Sequence, residues 1–353
     1  MSKYWSDIVG ELQPYKPGEQ ATSDGVIKLN TNENAYPPSP TVEEAIKVFS
    51  SGSLRLYPDP MSLRLRTAIA DLENLGIDNV FVGNGSDEVL AHTFRAFFKN
   101  DVPVVFPDVT YSFYPTYCKL FNLSYEEIPL DEDFHVRPEL IPEKNGGIIF
   151  PNPNAPTGIY LDYSEVELIV SKHADSVVVI DEAYGEFGTR SSADLVKKYP
   201  NVVVTRSFSK SYSLAGARLG YALANKDLIE GLYRIKDSFN SYPVDRLAEV
   251  CALAALRDRT YLNSVIKKIK ESRETLTNGL RNLGFRVLNS EANFVFASHE
   301  KIMAESLSVA LRERDILVRY FSKPTRIGNF LRITVGTDEQ VQKLLAAMAE
   351  ILR

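Results

Sequence analysis

Two cysteines, four histidines and one tryptophan are spread over 353 residues, without a basic excess and without a long apolar run. Cys118 and Cys251 sit far apart and form no C-x-x-C pair, which excludes a disulfide scaffold or a zinc cluster and implies two reduced thiols. Forty Lys and Arg face 46 Asp and Glu, a net charge of −6, whereas binding to a nucleic-acid backbone calls for a clustered positive excess. No stretch approaches the ~20 apolar residues needed to span a bilayer. The amino terminus, MSKYWSDIVGELQPYK, mixes charged and polar residues where a secretory signal needs an unbroken apolar stretch, so the expected location is the cytoplasm. What is present is ordinary globular material, 44% hydrophobic and 24% charged. The length suggests about two domains.

From Val80 onward, short β-branched runs alternate with amphipathic stretches, the pattern of a mostly parallel sheet covered by helices. The candidate strands are 80–82, 102–106, 147–150, 177–180 and 202–205. Several run into turns rich in Gly, Asn, Asp, Ser or Pro, at the strand ends where open α/β sheets bind ligands. Over 260–283 the apolar positions fall at mostly three- and four-residue spacing, which predicts a long amphipathic helix stopped by Gly284. Strands over 285–288, 293–297 and 331–335 and a helix over 339–352 then form a smaller unit. The expected division is an arm over 1–35 that joins the small unit and covers the site, a large domain over 36–258, and a small domain over 259–353. The arm carries Pro14, Pro17, Gly18 and further prolines just beyond it, so it reads as a wrapping loop.

Three segments can carry chemistry. Gly83-Asn84-Gly85-Ser86-Asp87-Glu88 follows a strand and precedes a helical pattern over 89–98, so its amides could cradle a phosphate. It departs from the dinucleotide fingerprint, because Glu88 stands where a third glycine belongs. Asp181-Glu182-Ala183-Tyr184 ends a buried strand, and a carboxylate there needs a cation, a metal or a protonated ring nitrogen unless it caps a helix. No histidine cluster lies near it, which disfavours a metal. Arg206-Ser207-Phe208-Ser209-Lys210 follows the strand at 202–205, with Arg218 shortly after it. A lysine in that position is a candidate for Schiff-base chemistry, and Ser207, Ser209 and Arg218 are candidate phosphate ligands.

With Pro151-Asn152-Pro153-Asn154-Ala155-Pro156-Thr157-Gly158, these segments resemble the aspartate-aminotransferase-like family of pyridoxal-phosphate enzymes over nearly the whole chain. Leu12-Gln13-Pro14-Tyr15, Leu29-Asn30-Thr31-Asn32-Glu33-Asn34, Tyr57-Pro58-Asp59 and Leu331-Arg332-Ile333-Thr334 are most similar to its histidinol-phosphate aminotransferase branch. The resemblance implies an α/β fold, with a large domain built on a mostly parallel sheet and a smaller α+β domain. It implies that Lys210 binds pyridoxal 5'-phosphate as a Schiff base and shuttles the Cα proton. Asp181 would pair with the pyridinium nitrogen, Tyr184 would bond the ring phenolate oxygen, and Tyr111 would stack on the ring. Ser86, Asp87, Ser207, Ser209 and Arg218 would hold the cofactor phosphate, with Tyr57 reaching it from the other subunit of a homodimer with shared sites.

The family places asparagine directly before Pro-Thr-Gly, where this chain has Ala155. Either Asn154 takes over that contact or Tyr184 carries it alone. Arg332, helped by Arg319 on a preceding strand, resembles the clamp for the substrate's acidic end, and a guanidinium fork suits both carboxylate and phosphate. Tyr15 and Asn32 to Asn34 would close the site. The implied substrates are histidinol phosphate and 2-oxoglutarate or glutamate. Aromatic-amino-acid aminotransfer and threonine-phosphate decarboxylation are the alternatives on the same fold. Ser207-x-x-Lys210 also matches the S-x-x-K of β-lactam-binding enzymes, but the chain has no S-D-N and no K-T-G. A regulatory module is disfavoured because only about 35 residues precede Tyr36, too few for a DNA-binding domain.

Overall fold

The computed structural model describes residues 2–12, 14, 18–20 and 25–353. Gln13 and Tyr15 of the amino-terminal motif lie outside the described residues. The strands, in chain order, are Ile27–Leu29 (β1), Val80–Gly83 (β2), Val104–Pro107 (β3), Tyr125–Ile128 (β4), Ile148–Pro151 (β5) and Val178–Asp181 (β6). They continue with Val202–Ser207 (β7), Gly220–Ala224 (β8), Phe285–Val287 (β9), Phe294–His299 (β10), Ile316–Tyr320 (β11) and Phe330–Thr334 (β12).

Seven strands form one sheet in the order β2-β8-β7-β6-β5-β3-β4. Only β8 runs against its two neighbours, and the remaining pairs are parallel. Parallel strands need crossovers, and helices supply them on both faces, so both faces are buried. The strands show this in their alternation. Val178, Ile180, Val202 and Val204 join one core with helices Pro40–Lys47, Leu63–Glu73, Tyr163–Lys172 and Arg246–Arg257. Val179 and Val203 join the opposite core with helices Gly85–Phe97, Tyr114–Leu120 and Lys226–Asp237.

A second sheet has the order β1-β11-β12-β10-β9. Its core takes Val265, Leu276 and Leu280 from helix Arg259–Asn282 and Val341, Leu344 and Met348 from helix Asp338–Ile351. That long helix starts at a cap, with Tyr261 N donating to Asp258 Oδ1 at 3.0 Å. It ends just before Gly284, whose φ of +87° is one that glycine adopts freely. Tyr184 and Ala155, from loops of the first sheet, also pack into this second core.

Several features differ from the sequence pattern, among them β8, which lies outside the candidate strands. The arm is not all loop, because Asp7–Glu11 is helical and β1 pairs in parallel with β11. The helix expected from Val89 begins at Gly85, because a glycine-containing turn there is already helical. The edge strand β4, Tyr-Glu-Glu-Ile, is polar and mostly exposed, so the apolar periodicity gave no signal for it.

Gly220 shows how tightly the first sheet meets the start of helix Gly85–Phe97. A Cβ at that position would lie 2.4 Å from Ser86 N and 2.6 Å from Gly85 C, both backbone atoms that cannot swing aside. Gly220→Ala is expected to destabilise the protein by about 2 kcal/mol or more and to lower Tm measured by calorimetry. An unchanged Tm would show that this junction is looser than the contact implies.

Candidate active site

A cavity of about 600 Å3 opens where the carboxyl ends of β5, β6 and β7 meet the start of helix Gly85–Phe97, with β11 and β12 forming its far wall. Asp181, the last residue of β6, lines it and is 4% exposed. Its carboxylate accepts from Tyr114 OH at 2.9 Å, Ala183 N at 3.1 Å and Thr205 Oγ1 at 3.3 Å. Burial outweighs these donors, and the carboxyl is pushed up from 3.8 to about 6. Asp181 caps no helix, so the cap alternative fails on geometry. A buried carboxylate that three donors leave destabilised is a receptor for a cation from the cavity.

Lys210 follows β7 on the same wall. Its Nζ donates to Thr31 O at 3.3 Å and sits 5.8 Å from the centre of the Tyr184 ring. Its main chain is pinned by Asn34, whose Nδ2 donates to Lys210 O at 2.9 Å and to Ser211 O at 3.3 Å. Glu33, also on the wall, is pushed up by burial, but hydrogen bonds from Lys28 and Thr31 and the charges of Lys28 and Lys210 outweigh this and hold it below its usual range. Glu182 is drawn away from the cavity by Arg206, whose Nε lies 3.0 Å from its carboxylate.

One end of the cavity is built for an anion. Ser86 and Asp87 open the 13-residue helix Gly85–Phe97, whose first amides carry the positive end of the helix dipole. Gly85 has φ +81°, a backbone conformation that favours glycine, and the tip of the Arg218 side chain lies against it. Ser207, Ser209 and Arg218 complete this end. Asp87 does not spoil it, because its carboxylate accepts from Tyr111 OH at 3.1 Å and pairs with Arg218 at 3.3 Å.

Arg319 and Arg332 stand in register on β11 and β12 at the opposite end. Arg332 donates to Asn30 O at 3.1 Å, and its guanidinium lies 5.5 Å from the Phe294 ring centre and 5.4 Å from that of Phe321. Arg319 lies 5.4 Å from the same Phe321 ring. Aromatic rings thus pack near both guanidinium groups on the cavity wall.

Not every residue singled out from the sequence reaches the cavity. Asn154 is buried beneath it, with its amide nitrogen donating to Val109 O and Thr157 Oγ1, both at 3.0 Å. With both hydrogens committed, it has none for the contact assigned to it, while Ala155 lines the cavity instead. Asn34 likewise works behind Lys210 rather than on the wall. Tyr57 is 76% exposed and stacks on Tyr242 at 4.6 Å, outside the cavity of its own chain. Tyr114 and Thr205, which hold Asp181, carry no sequence signal beyond being polar residues inside apolar segments. Among the described residues no group of three or more His, Cys, Asp or Glu side chains could hold a metal ion, and no helix is long and apolar enough to cross a membrane.

The family model of aminotransferase class I and II matches residues 24–348. Histidinol-phosphate aminotransferase 2 of Thiobacillus denitrificans is 53% identical over 347 residues, covering 98% of this chain and 97% of that protein. Among solved structures, histidinol-phosphate aminotransferase from Sinorhizobium meliloti in complex with pyridoxal-5'-phosphate superposes with a TM-score of 0.87 at 24% identity, over 100% of this chain and 98% of that one. A Thermus thermophilus aspartate aminotransferase variant superposes with a TM-score of 0.83 at 20% identity, over 99% of this chain and 100% of that one. The architecture is therefore the aspartate-aminotransferase-like α/β fold.

The position of Asp181 can be tested on the protein alone. Its carboxyl binds a proton more tightly in the folded than in the unfolded chain, so its contribution to stability falls as pH rises from about 4 to about 6 and stays low above that. The Tyr114 hydroxyl favours the charged form, and Tyr114→Phe should raise the midpoint further, by roughly one pH unit. Titration of the labelled Asp181 carboxyl by 13C NMR reads this directly. An unmoved midpoint would remove Tyr114 from the site.

Proposed function

The chain belongs to the class I and II aminotransferases, and we propose that it moves the amino group of L-histidinol phosphate to 2-oxoglutarate, giving imidazole acetol phosphate and glutamate. The observation that carries this reading is one cavity holding Lys210 and Asp181, an anion cup at one end and an arginine pair at the other. The full-length likeness to a named histidinol-phosphate aminotransferase selects the substrate. The same reading makes this a step of histidine biosynthesis in the cytoplasm.

Pyridoxal 5'-phosphate fits the donor set. Its phosphate matches the amides at Ser86 and Asp87, the hydroxyls of Ser207 and Ser209, and Arg218, whose tip lies against Gly85. Its protonated ring nitrogen matches the buried Asp181. When bound, it supplies an electron sink for the pair left behind as the Cα–H bond breaks. Asp181, ionised by its three donors and a cationic partner, keeps that ring nitrogen protonated. Lys210 holds the cofactor until substrate arrives, and its freed Nζ then removes and returns the proton at Cα. Tyr184 offers its hydroxyl to the ring oxygen, and Tyr111, held by Asp87, packs against the ring.

Arg332, with Arg319 beside it, takes the phosphate of one substrate and the far carboxylate of the other, because a guanidinium fork accepts both groups. Asn30 to Glu33 of the arm line the site, with 36–258 carrying the cofactor and 259–353 closing on it. The exposed Tyr57 reaches the cofactor phosphate of a second copy, so the working form is a homodimer.

Lys210→Ala is expected to abolish turnover while leaving the fold intact by circular dichroism. Arg332→Lys should raise KM for L-histidinol phosphate at least ten-fold with a smaller change in kcat, because a point charge replaces a two-pronged donor. The purified protein should show a visible absorption band that L-histidinol phosphate bleaches without added keto acid. A band that this substrate leaves unmoved would overturn the substrate assignment but not the cofactor.

A further inference from the structure

The missing asparagine leaves a gap in the donor set around the cofactor's ring oxygen, since Ala155 has no donor and the hydrogens of Asn154 are both committed to Val109 and Thr157. On the cavity wall stands another amide. Asn32 is 1% exposed, lines the cavity, and donates from Nδ2 to Tyr184 OH at 2.8 Å. We propose that Asn32 is the positioning residue that replaces the absent asparagine, acting through the Tyr184 hydroxyl. This inference rests on the cofactor reading above.

The orientation of the amide follows from its neighbours. Thr334 Oγ1 accepts from Asn32 N at 3.0 Å, so its one hydrogen is left for Asn32 Oδ1 at 3.1 Å. With Oδ1 taken as the acceptor, Nδ2 is the end that faces Tyr184. The main chain is held as firmly, because Asn293 Nδ2 donates to Asn32 O at 3.0 Å. Asn32 has φ +57°, in the left-handed region that asparagine tolerates better than most residues.

The consequence is chemical. A phenol oxygen that accepts from Nδ2 has its own hydrogen free for the cavity, and accepting one bond strengthens the bond it donates. Tyr184 is thereby set as a donor towards the ring oxygen. In families with asparagine before Pro-Thr-Gly two donors share that task, whereas here one donor is strengthened by a third group from the arm. The charged groups lining the cavity are Glu33, Asp87, Asp181, Lys210, Arg218, Arg319 and Arg332, and the substitutions below leave all of them in place.

The test is the pH at which the visible band of the reconstituted protein changes. A ring oxygen that loses donor strength becomes more basic and holds the proton it shares with the nitrogen of Lys210 more tightly. Asn32→Gly, which keeps the positive φ accessible, should therefore move that midpoint upward by about one pH unit. It should also weaken cofactor binding in equilibrium dialysis. Tyr184→Phe should move the midpoint the same way, and the double variant should move it no further, because both act through one hydroxyl. A merely structural asparagine would change Tm and leave the midpoint in place. Should Asn32→Gly fail to fold, Thr334→Val, which releases Oδ1 and lets the amide turn, is expected to give a smaller shift of the same sign. A midpoint unchanged in the variants overturns the inference, as does an additive double variant. Absence of any band in the reconstituted wild-type protein would instead overturn the cofactor reading itself.

Discussion

The carboxylate of Asp181 is the constraint around which the rest is arranged. It sits at the end of a strand buried on both sides, where desolvation pushes its proton affinity above that of a free aspartate despite three donors. The fold alone does not satisfy it. A group this destabilised persists in a folded protein when the surrounding structure overdetermines its position, and here β5, β7 and helix Tyr114–Leu120 all press against β6 or its end. A cation entering the cavity would relieve that cost, so a burial that weakens the empty site would strengthen the loaded one.

The opposite polarity is built at the other end of the ring site. The helix start at Ser86 and the guanidinium of Arg218 offer positive potential, yet Asp87 stands among them. Its two oxygens are occupied by Tyr111 and Arg218, so it acts as a spacer that fixes both rather than as a repelling charge. Two glycines make this possible. Gly85 supplies the positive φ with which the helix starts, and Gly220 lets β8 lie directly on the backbone of Ser86. The anion cup is thus a product of backbone approach as much as of side-chain choice, which is why few side chains are needed to define it.

The parallel strands were legible in the sequence because they are buried on both faces and therefore read as unbroken β-branched runs, as in Val202 to Val204. Lys210, Asp181 and Ser86 were legible for a related reason, since each follows such a run within a few residues, and Arg218 stands further along the same loop as Lys210. Asn154 was not, because in a chain as closely spaced as Asn-Pro-Asn-Ala-Pro-Thr-Gly a shift of one residue turns a side chain from the cavity to the loop beneath it. The strand within the arm was hidden among its prolines. Its few β-forming residues, Ile27 to Leu29, pair with β11, a partner 289 positions away at Ile27↔Ile316, and local composition carries no trace of such a pairing. Tyr114 and Thr205 were invisible for the same reason, being ordinary core-facing residues until the fold brings them to a carboxylate.

That arm explains how one cavity serves two sheets. β1 adds to the edge of the second sheet, and the residues that follow it, Thr31 to Asn34, cross to the first sheet and meet Lys210 and Tyr184. The arginines on β11 and β12 are therefore tied through a few residues of backbone to Lys210. Arg332 donates to the carbonyl of Asn30, two residues before the Asn32 amide that meets Tyr184. A ligand that draws on Arg332 would act on the same short segment that meets the Tyr184 hydroxyl. The arginine end and the ring end of the cavity thus share one piece of chain. A segment so shared is worth holding by Thr334 and Asn293 from within the second sheet, because a shift there would be felt at both ends of the cavity.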